Sequence, residues 1–381
     1  MRLFALLSLG LWALNWAIMG WGTWLAFRLF RKKNTELQPT DLQPVSILKP
    51  LKGIDEGLYE NLESFFQIRY PKYELLFSVT EENEPAIPLI QKLMEKYPEV
   101  DASLVCAPQA VGFNPKIANL MSVYDRTKYD LVLISDSNIR VRPRYLLDLI
   151  PDLKGSTGII TAIVAGVSPR GVGGWLEASY LNTFFTRWMV VTKKIGFPSV
   201  IGKSMLFKKS TMQRFGGLKT LGHYIAEDYM AGHAIQKLDL KVELMRSPID
   251  QYIGLYSFDK FWGRHLRWGR IRKSIAPLAF LIEPLFFSSV SGLIGAFALD
   301  SLFGFNWLGC WLLHLLIWGC LDSFIYSLMD RVSWKSLMAW AFRESLAVPL
   351  WVSILCGSTV FWRGKNYRLL RGGLLSGGTA E

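Results

Sequence analysis

The chain has 381 residues, of which 51% are hydrophobic, and a net charge of +12; its mean hydropathy of +0.22 is high for a soluble enzyme. Such a basic, apolar chain suits an anionic membrane surface or a phosphate-bearing ligand. Nucleic acid is disfavoured because no helix-turn-helix, zinc-finger or RNP pattern is present, and four cysteines without metal-ligand spacing argue against a zinc module or a disulfide framework.

The first element is an almost wholly apolar run from Leu3 to Phe30. It is long enough to span a bilayer, for which about 20 residues suffice. It exceeds the ~7–15 residues of a signal peptide's apolar region and lacks a small-x-small cleavage site. "RLFRKKN" follows at once, so positive charge marks the cytoplasmic side. Residues 1–31 therefore read as a transmembrane anchor with its N-terminus outside.

Residues from about 44 to 242 alternate strand-like and helix-like segments, within a cytoplasmic domain expected over 44–273. The strands are "VSILKPLKG", "YELLFSV", "ASLVCA" and "DLVLISD"; the helices between them are "GLYENLESFFQIRY", "AIPLIQKLMEKYP" and "NPKIANLMSVYDRT". This rhythm predicts an α/β domain with a mostly parallel sheet and helices on both faces. Ligands of such a sheet bind outside the carboxyl ends of its strands. No G-x-G-x-x-G and no P-loop follows the first strand, which disfavours a dinucleotide enzyme or a P-loop kinase.

Three more apolar stretches follow, at 275–299, 305–329 and 336–357. The first two read as a membrane hairpin. If the third also spanned, the basic "WRGKNYRLLR" would end outside, against the charge rule. With Arg343 and Glu344 at its middle, costly at bilayer depth, the third reads as an interfacial or re-entrant element. Residues 274–360 are thus expected to be membrane-embedded and interfacial, and 361–381 a basic cytoplasmic tail.

Five sets of residues are candidates for chemistry. Asp136 follows a buried strand, where it either starts a turn or faces the ligand crevice. Glu81 and Glu82 follow the second strand in the same way. Asn114 and Lys116 open a helix, suiting a phosphate or a simple cap. Glu227 and Asp228 open another, where acids also merely complement the helix dipole. Arg264, Arg267 and Trp268 lie in "RHLRWGRIRK", which reads equally as a membrane-surface patch; the two arginines are three apart and share a helix face.

The order of "NPKIANLM", "DSNIRV", "IAEDY" and "RHLRW", with "FRESL" and "WRGKNYRLLRGG" beyond, resembles the ceramide glucosyltransferase family. These are membrane glycosyltransferases of GT-A type with a D, D, D, (Q/R)xxRW pattern, and the similarity covers nearly the whole chain. The resemblance implies a GT-A-like domain and inverting transfer of a hexose, glucose first, from a UDP-sugar to a membrane lipid hydroxyl, ceramide first. It implies Asp228 as general base and Asp136 as the holder of a divalent metal, Mg²⁺ or Mn²⁺. Donor contacts would come from Glu81, Lys116, Asp136, Arg264, Arg267 and Trp268. Two departures stand out: Glu81 or Glu82 replaces the family's first Asp, and "DSN" lacks a second carboxylate. A hopanoid or diacylglycerol acceptor, possibly with UDP-N-acetylglucosamine, is the alternative within this class. A non-catalytic membrane scaffold is the alternative outside it.

Overall fold

The computed structural model describes residues 1–32, 42–197, 199–362 and 365–380. Lys33 and Asn34 of the first basic stretch, and Arg363 and Gly364 of the last, lie outside the described residues. The apolar start is one helix, α1 (Arg2–Arg31). The α/β region opens with β1 (Val45–Pro50), α2 (Leu58–Phe66), β2 (Tyr73–Val79), α3 (Ile87–Lys96), β3 (Asp101–Cys106), α4 (Pro115–Tyr124) and β4 (Leu131–Ile134). These are the seven segments that the alternating pattern predicts.

Past β4 come β5 (Ile139–Arg140), α5 (Tyr145–Leu149), β6 (Thr157–Thr161), β7 (Val164–Arg170), α6 (Gly171–Tyr180) and a π-helical turn, Leu181–Phe185. Then follow α7 (Thr186–Lys194), β8 (Met205–Lys208), α8 (Lys209–Gln213), α9 (Glu227–Gln236), β9 (Lys241–Leu244), β10 (Ile249–Leu255) and α10 (Phe258–Ile275). The main sheet has seven strands in the order β3-β2-β1-β4-β8-β6-β9, all parallel to their neighbours except β8, which is antiparallel to β4 and β6. A second sheet, β5-β10-β7, lies alongside.

Strand alternation divides the core between the two faces. Val45, Ile47, Leu131 and Leu133 pack with Leu62 and Phe65 of α2 and Leu146 of α5. Leu48, Val132 and Ile134 point the other way, onto Ile117 and Leu120 of α4 and Ile235 of α9. The order β2-β1-β4 brings the carboxyl ends of three parallel strands together, and the antiparallel β8 delivers its leading turn to the same edge.

The C-terminal third departs from expectation in two places. The stretch at 275–299 is not one helix. It breaks into α11 (Pro277–Ile282), a 3₁₀ turn (Glu283–Phe286) and α12 (Ser288–Phe303), bent by 62°. The cause is local: Pro277 opens α11, Pro284 lies in the 3₁₀ turn, and Phe287 is extended. The freed backbone groups are satisfied by side chains from other helices, as membrane-depth breaks require. Asn15 of α1 donates to the Leu285 carbonyl at 2.7 Å. His314 pairs with the Ser288 carbonyl at 3.1 Å, and Glu344 accepts from the Ser288 N–H at 3.1 Å.

The second stretch is the unbroken α13 (Trp307–Met329) and the third is α14 (Trp334–Leu355). Among the described residues α1 and α13 are long and apolar enough to cross a membrane, and the bent α11–α12 pair makes a third candidate; α14 does not qualify. Arg343 of α14 is buried, bonding Thr183 at 2.8 Å and facing Asp322 of α13 at 3.6 Å, while Asp322 also pairs with Arg187 of α7.

The expected basic tail is instead a small antiparallel sheet: β11 (Thr359–Trp362), β12 (Lys365–Leu369) and β13 (Leu375–Ala380). Val360, Tyr367, Leu369 and Leu375 bury a face against Ile225, two residues before α9. The Ile225 N–H donates to the Gly373 carbonyl at 3.3 Å. Gly372 and Gly373 turn the chain there with φ of 78° and 79°, a region glycine occupies without strain.

Candidate functional site

At the carboxyl edge of β4, Lys116 joins two of the expected acids. Its Nζ lies 3.0 Å from Asp136 Oδ1 and 2.9 Å from Glu227 Oε1. Asn114 caps α4, its side chain accepting from the N–H groups of Lys116 (2.8 Å) and Ile117 (3.2 Å) and donating to Glu227 at 3.2 Å. The first-turn N–H groups of α4 are therefore taken by the cap, and Lys116 is buried among carboxylates rather than open to a phosphate. Asp228, next to Glu227, accepts from the Gly202 N–H and from its neighbour Tyr229 N–H, each at 2.8 Å. Lys116, Asp136 and Asp228 thus share one cluster.

Electrostatics set these carboxylates apart. Burial would raise the Asp136 carboxyl, but Lys116, Lys203 and Lys49 outweigh it and hold it below the usual range. Burial raises Asp228 too, the adjacent Glu227 adds to it, and the result is about 6. A pair of acids whose environments push them in opposite directions marks different chemical roles. Lys116 stays firmly charged: burial opposes its charge, but Asp136, Glu227 and Asp228 prevail.

A second cluster is built on α10. Arg264 lies 4.5 Å over the Trp268 ring and 3.4 Å from Glu177 Oε1 of α6. Glu177 is fully buried, and its other oxygen meets His265 Nε2 at 2.9 Å. Burial opposes the Glu177 charge, yet Arg264 and His265 bring its carboxyl down to about 2. Arg267 is half-buried one turn along α10; burial and Arg264 lower it to about 10.

Glu81 stands apart. It is exposed in the loop after β2, and β1 separates β2 from β4, which puts the two strands about 10 Å apart at ordinary strand spacing. The buried acid of that loop is Glu84, which accepts from the Gly53 N–H beyond β1.

Sequence reading passes over Lys49, Glu177, Lys203 and Gly202. Lys49 is fully buried at the end of β1, donating to the Asp136 carbonyl at 2.7 Å over the Phe65 ring, and burial brings its ammonium down to about 7. Lys203 donates to Gln251 at 2.6 Å, and burial with Arg264 brings it to about 7. A β-carbon on Gly202 would sit 2.7 Å from Lys116 Nζ and 3.4 Å from both Asp228 and Glu227, so alanine there would push the Lys116 ammonium from its place between the acids. The "GKS" between a helix and a strand was the available signal.

This arrangement combines a part-buried acid of raised basicity, a cation-rich edge beside an ionised carboxylate and a membrane-apolar framework. The model for glycosyl transferase family 21 matches residues 11–375. The chain belongs to this family. Curated relatives include ceramide glucosyltransferase 3 of Caenorhabditis elegans, 33% identical over 92% of this chain and 78% of that one. Ceramide glucosyltransferase 1 of the same organism is 32% identical over 91% and 75%. The Komagataella phaffii ceramide glucosyltransferase is 25% identical over 97% and 91%. Among solved structures, the mannosyltransferase PcManGT of Pyrobaculum calidifontis, in complex with GDP-Man and Mn²⁺, superposes with a TM-score of 0.53 at 16% identity, covering 92% of this chain and 96% of that one. At that identity the likeness speaks for the fold: a GT-A-like domain on membrane helices. This family 21 chain is a glycosyltransferase.

Among the described residues no group of three or more His, Cys, Asp or Glu side chains is arranged to hold a metal ion. Asp136, its side chain 30% exposed, offers one carboxylate beside three lysines. That donor set fits a divalent ion that takes its remaining ligands from a diphosphate and water, as Mg²⁺ commonly does.

Proposed function

We propose that this enzyme transfers glucose from UDP-glucose to the hydroxyl of ceramide at the cytoplasmic face of a membrane, with inversion at the anomeric carbon. The names of its curated relatives support donor sugar and acceptor. The observation that carries the mechanism is Asp228: part-buried, held through both oxygens by backbone N–H groups, and raised to about 6. A general base works best when its pKa lies near the operating pH.

Asp228 takes the acceptor's proton as its oxygen attacks the anomeric carbon; a single base and direct displacement give inversion. Asp136 would hold a divalent ion, which when bound supplies positive charge to the departing diphosphate. Arg264 and Arg267 add charge on the α10 side, with Glu177 fixing Arg264 and Trp268 packing beneath it. Lys116 helps to keep Asp136 ionised. Glu81, at the far strand, would meet the uridine end of the donor.

The membrane frame suits a lipid acceptor. Moving ceramide into water costs about 0.8 kcal/mol per CH₂, so the site must meet the bilayer surface. The pairing of Ile225 with Gly373 puts the chain's end on the same side as the catalytic sheet. An even number of crossings between them, out by α12 and back by α13, satisfies that. Arg28, Arg31 and Lys32 at the end of α1 favour the cytoplasmic side.

Asp228→Asn tests the assignment. Donor binding should persist while turnover falls by about 10²–10⁴-fold, the usual worth of such proton transfer. A variant turning over at near the normal rate would refute it.

A further inference from the structure

Lys203 is a buried cation without a counter-ion of its own. It lies in the turn before β8, where Ile134 of β4 pairs with Met205. Continuing that antiparallel register two residues past the strand ends sets Lys203 opposite Asp136. The turn is fixed residue by residue. The Ile201 N–H donates to Thr161 at 3.1 Å, the Gly202 N–H to Asp228 at 2.8 Å, and the Ser204 hydroxyl meets the Tyr145 hydroxyl at 2.5 Å. Lys203 is 6% exposed, and its Nζ donates to the neutral amide oxygen of Gln251.

None of the ion pairs among the described residues includes Lys203. The carboxylates whose charge reaches it are already engaged: Asp136 with Lys116, Glu177 with Arg264 and His265. The charge of Arg264 also reaches Lys203, and the buried Nε of Arg264 has no hydrogen-bond partner. A buried ammonium bonded to a neutral amide is costly unless an anion completes its shell. A buried lysine whose one polar partner is a neutral amide, set opposite Asp136 and within the field of Arg264, suits a compact, highly charged anion, and lysine serves phosphate well as a point charge.

We propose that Lys203 is a further catalytic residue, donating to the diphosphate of the sugar nucleotide between Asp136 and Arg264 and stabilising the charge on departing UDP. This rests on the reading of the donor as a UDP-sugar. As the acceptor oxygen bonds to the anomeric carbon, the bond from that carbon to the diphosphate oxygen breaks. Its electron pair stays on UDP, the acceptor's proton goes to Asp228, and Lys203 keeps its own proton throughout.

The test uses the full-length enzyme in detergent with Lys203→Met and Lys203→Arg. Titration calorimetry measures UDP and uridine binding, a turnover assay uses UDP-glucose and ceramide, and thermal unfolding is followed in parallel. Lys203→Met should weaken UDP binding at least tenfold and lower kcat/KM by about 10²–10³, the range for losing one preorganised charge donor. Its uridine affinity should not change, and its Tm should hold or rise because a buried cation has been replaced by a hydrophobe. Lys203→Arg should recover part of the UDP affinity. A Lys203→Met enzyme that binds UDP and turns over like the wild type overturns the proposal, as does equal loss of UDP and uridine binding with a lowered Tm. If the wild type itself binds no UDP, the donor reading fails and the ligand proposed for Lys203 falls with it. Wild-type binding matched by the variant sinks Lys203 alone.

Discussion

Asp228 and Asp136 stand in one cluster, yet Lys116 bridges Asp136 to Glu227 while backbone N–H groups hold Asp228. The sign of the pH dependence follows. A base acts deprotonated, and Asp228 is raised to about 6. The rate measured from pH 5 to 8 should therefore climb through about 6, fall roughly tenfold per unit below it, and level off above 7. A profile flat down to pH 5 would contradict this. Gly202→Ala is the sharpest steric probe. Its β-carbon would press on Lys116 and on both acids, so kcat should drop more than tenfold with little change in Tm, as steady-state kinetics and thermal unfolding would show. Asp136, Lys116 and Asp228 were legible in sequence because each follows a strand or opens a helix, where polar residues are conspicuous. Lys49, Glu177 and Lys203 were not. Lys49 and Glu177 sit among apolar neighbours, Lys203 shows only the short "GKS", and each finds a partner 48 to 88 residues away, a distance no local pattern conveys.

At the scale of elements, periodicity predicts the four parallel strands and three helices of the first half because each turns apolar residues towards the core. It misleads at the C-terminus. The alternation of Tyr367 and Leu369 is present in the sequence, but the lysine and arginines between and around them read as a solvated tail; only the contact with Ile225 reveals the buried side. The apolar stretch after α10 likewise reads as one span, because composition registers hydrophobicity and not the partners that satisfy a break at Phe287. The small sheet braces the entry to α9, and with it Glu227 and Asp228. Tyr367→Ala should cost about 3 kcal/mol, the low end for removing a large buried ring. Denaturation should show a lowered transition, and kcat should fall with it. An unchanged transition would mean that the sheet is dispensable.

At the scale of the whole molecule, three apolar helices, a polar seam and a basic helix hold a soluble catalytic sheet against a lipid surface. Helix α1, about 45 Å long at 1.5 Å per residue, exceeds the ~30 Å hydrocarbon core. Gly292 and Gly295 of α12 let it pack closely on His314 and Trp12, the small-residue contact typical of membrane helices. Asp322, Arg187 and Arg343 tie α13, α7 and α14 into one body. The most direct measurement is a lipid-panel transfer assay on the purified full-length enzyme. Ceramide, a hopanoid polyol and diacylglycerol would each be offered with UDP-glucose and with UDP-N-acetylglucosamine, with and without Mg²⁺, and product configuration read by NMR. The account predicts β-glucosylceramide from UDP-glucose and ceramide, formed in the presence of the metal and lost on its removal. Transfer confined to another lipid, or a product retaining the α-configuration, would contradict it.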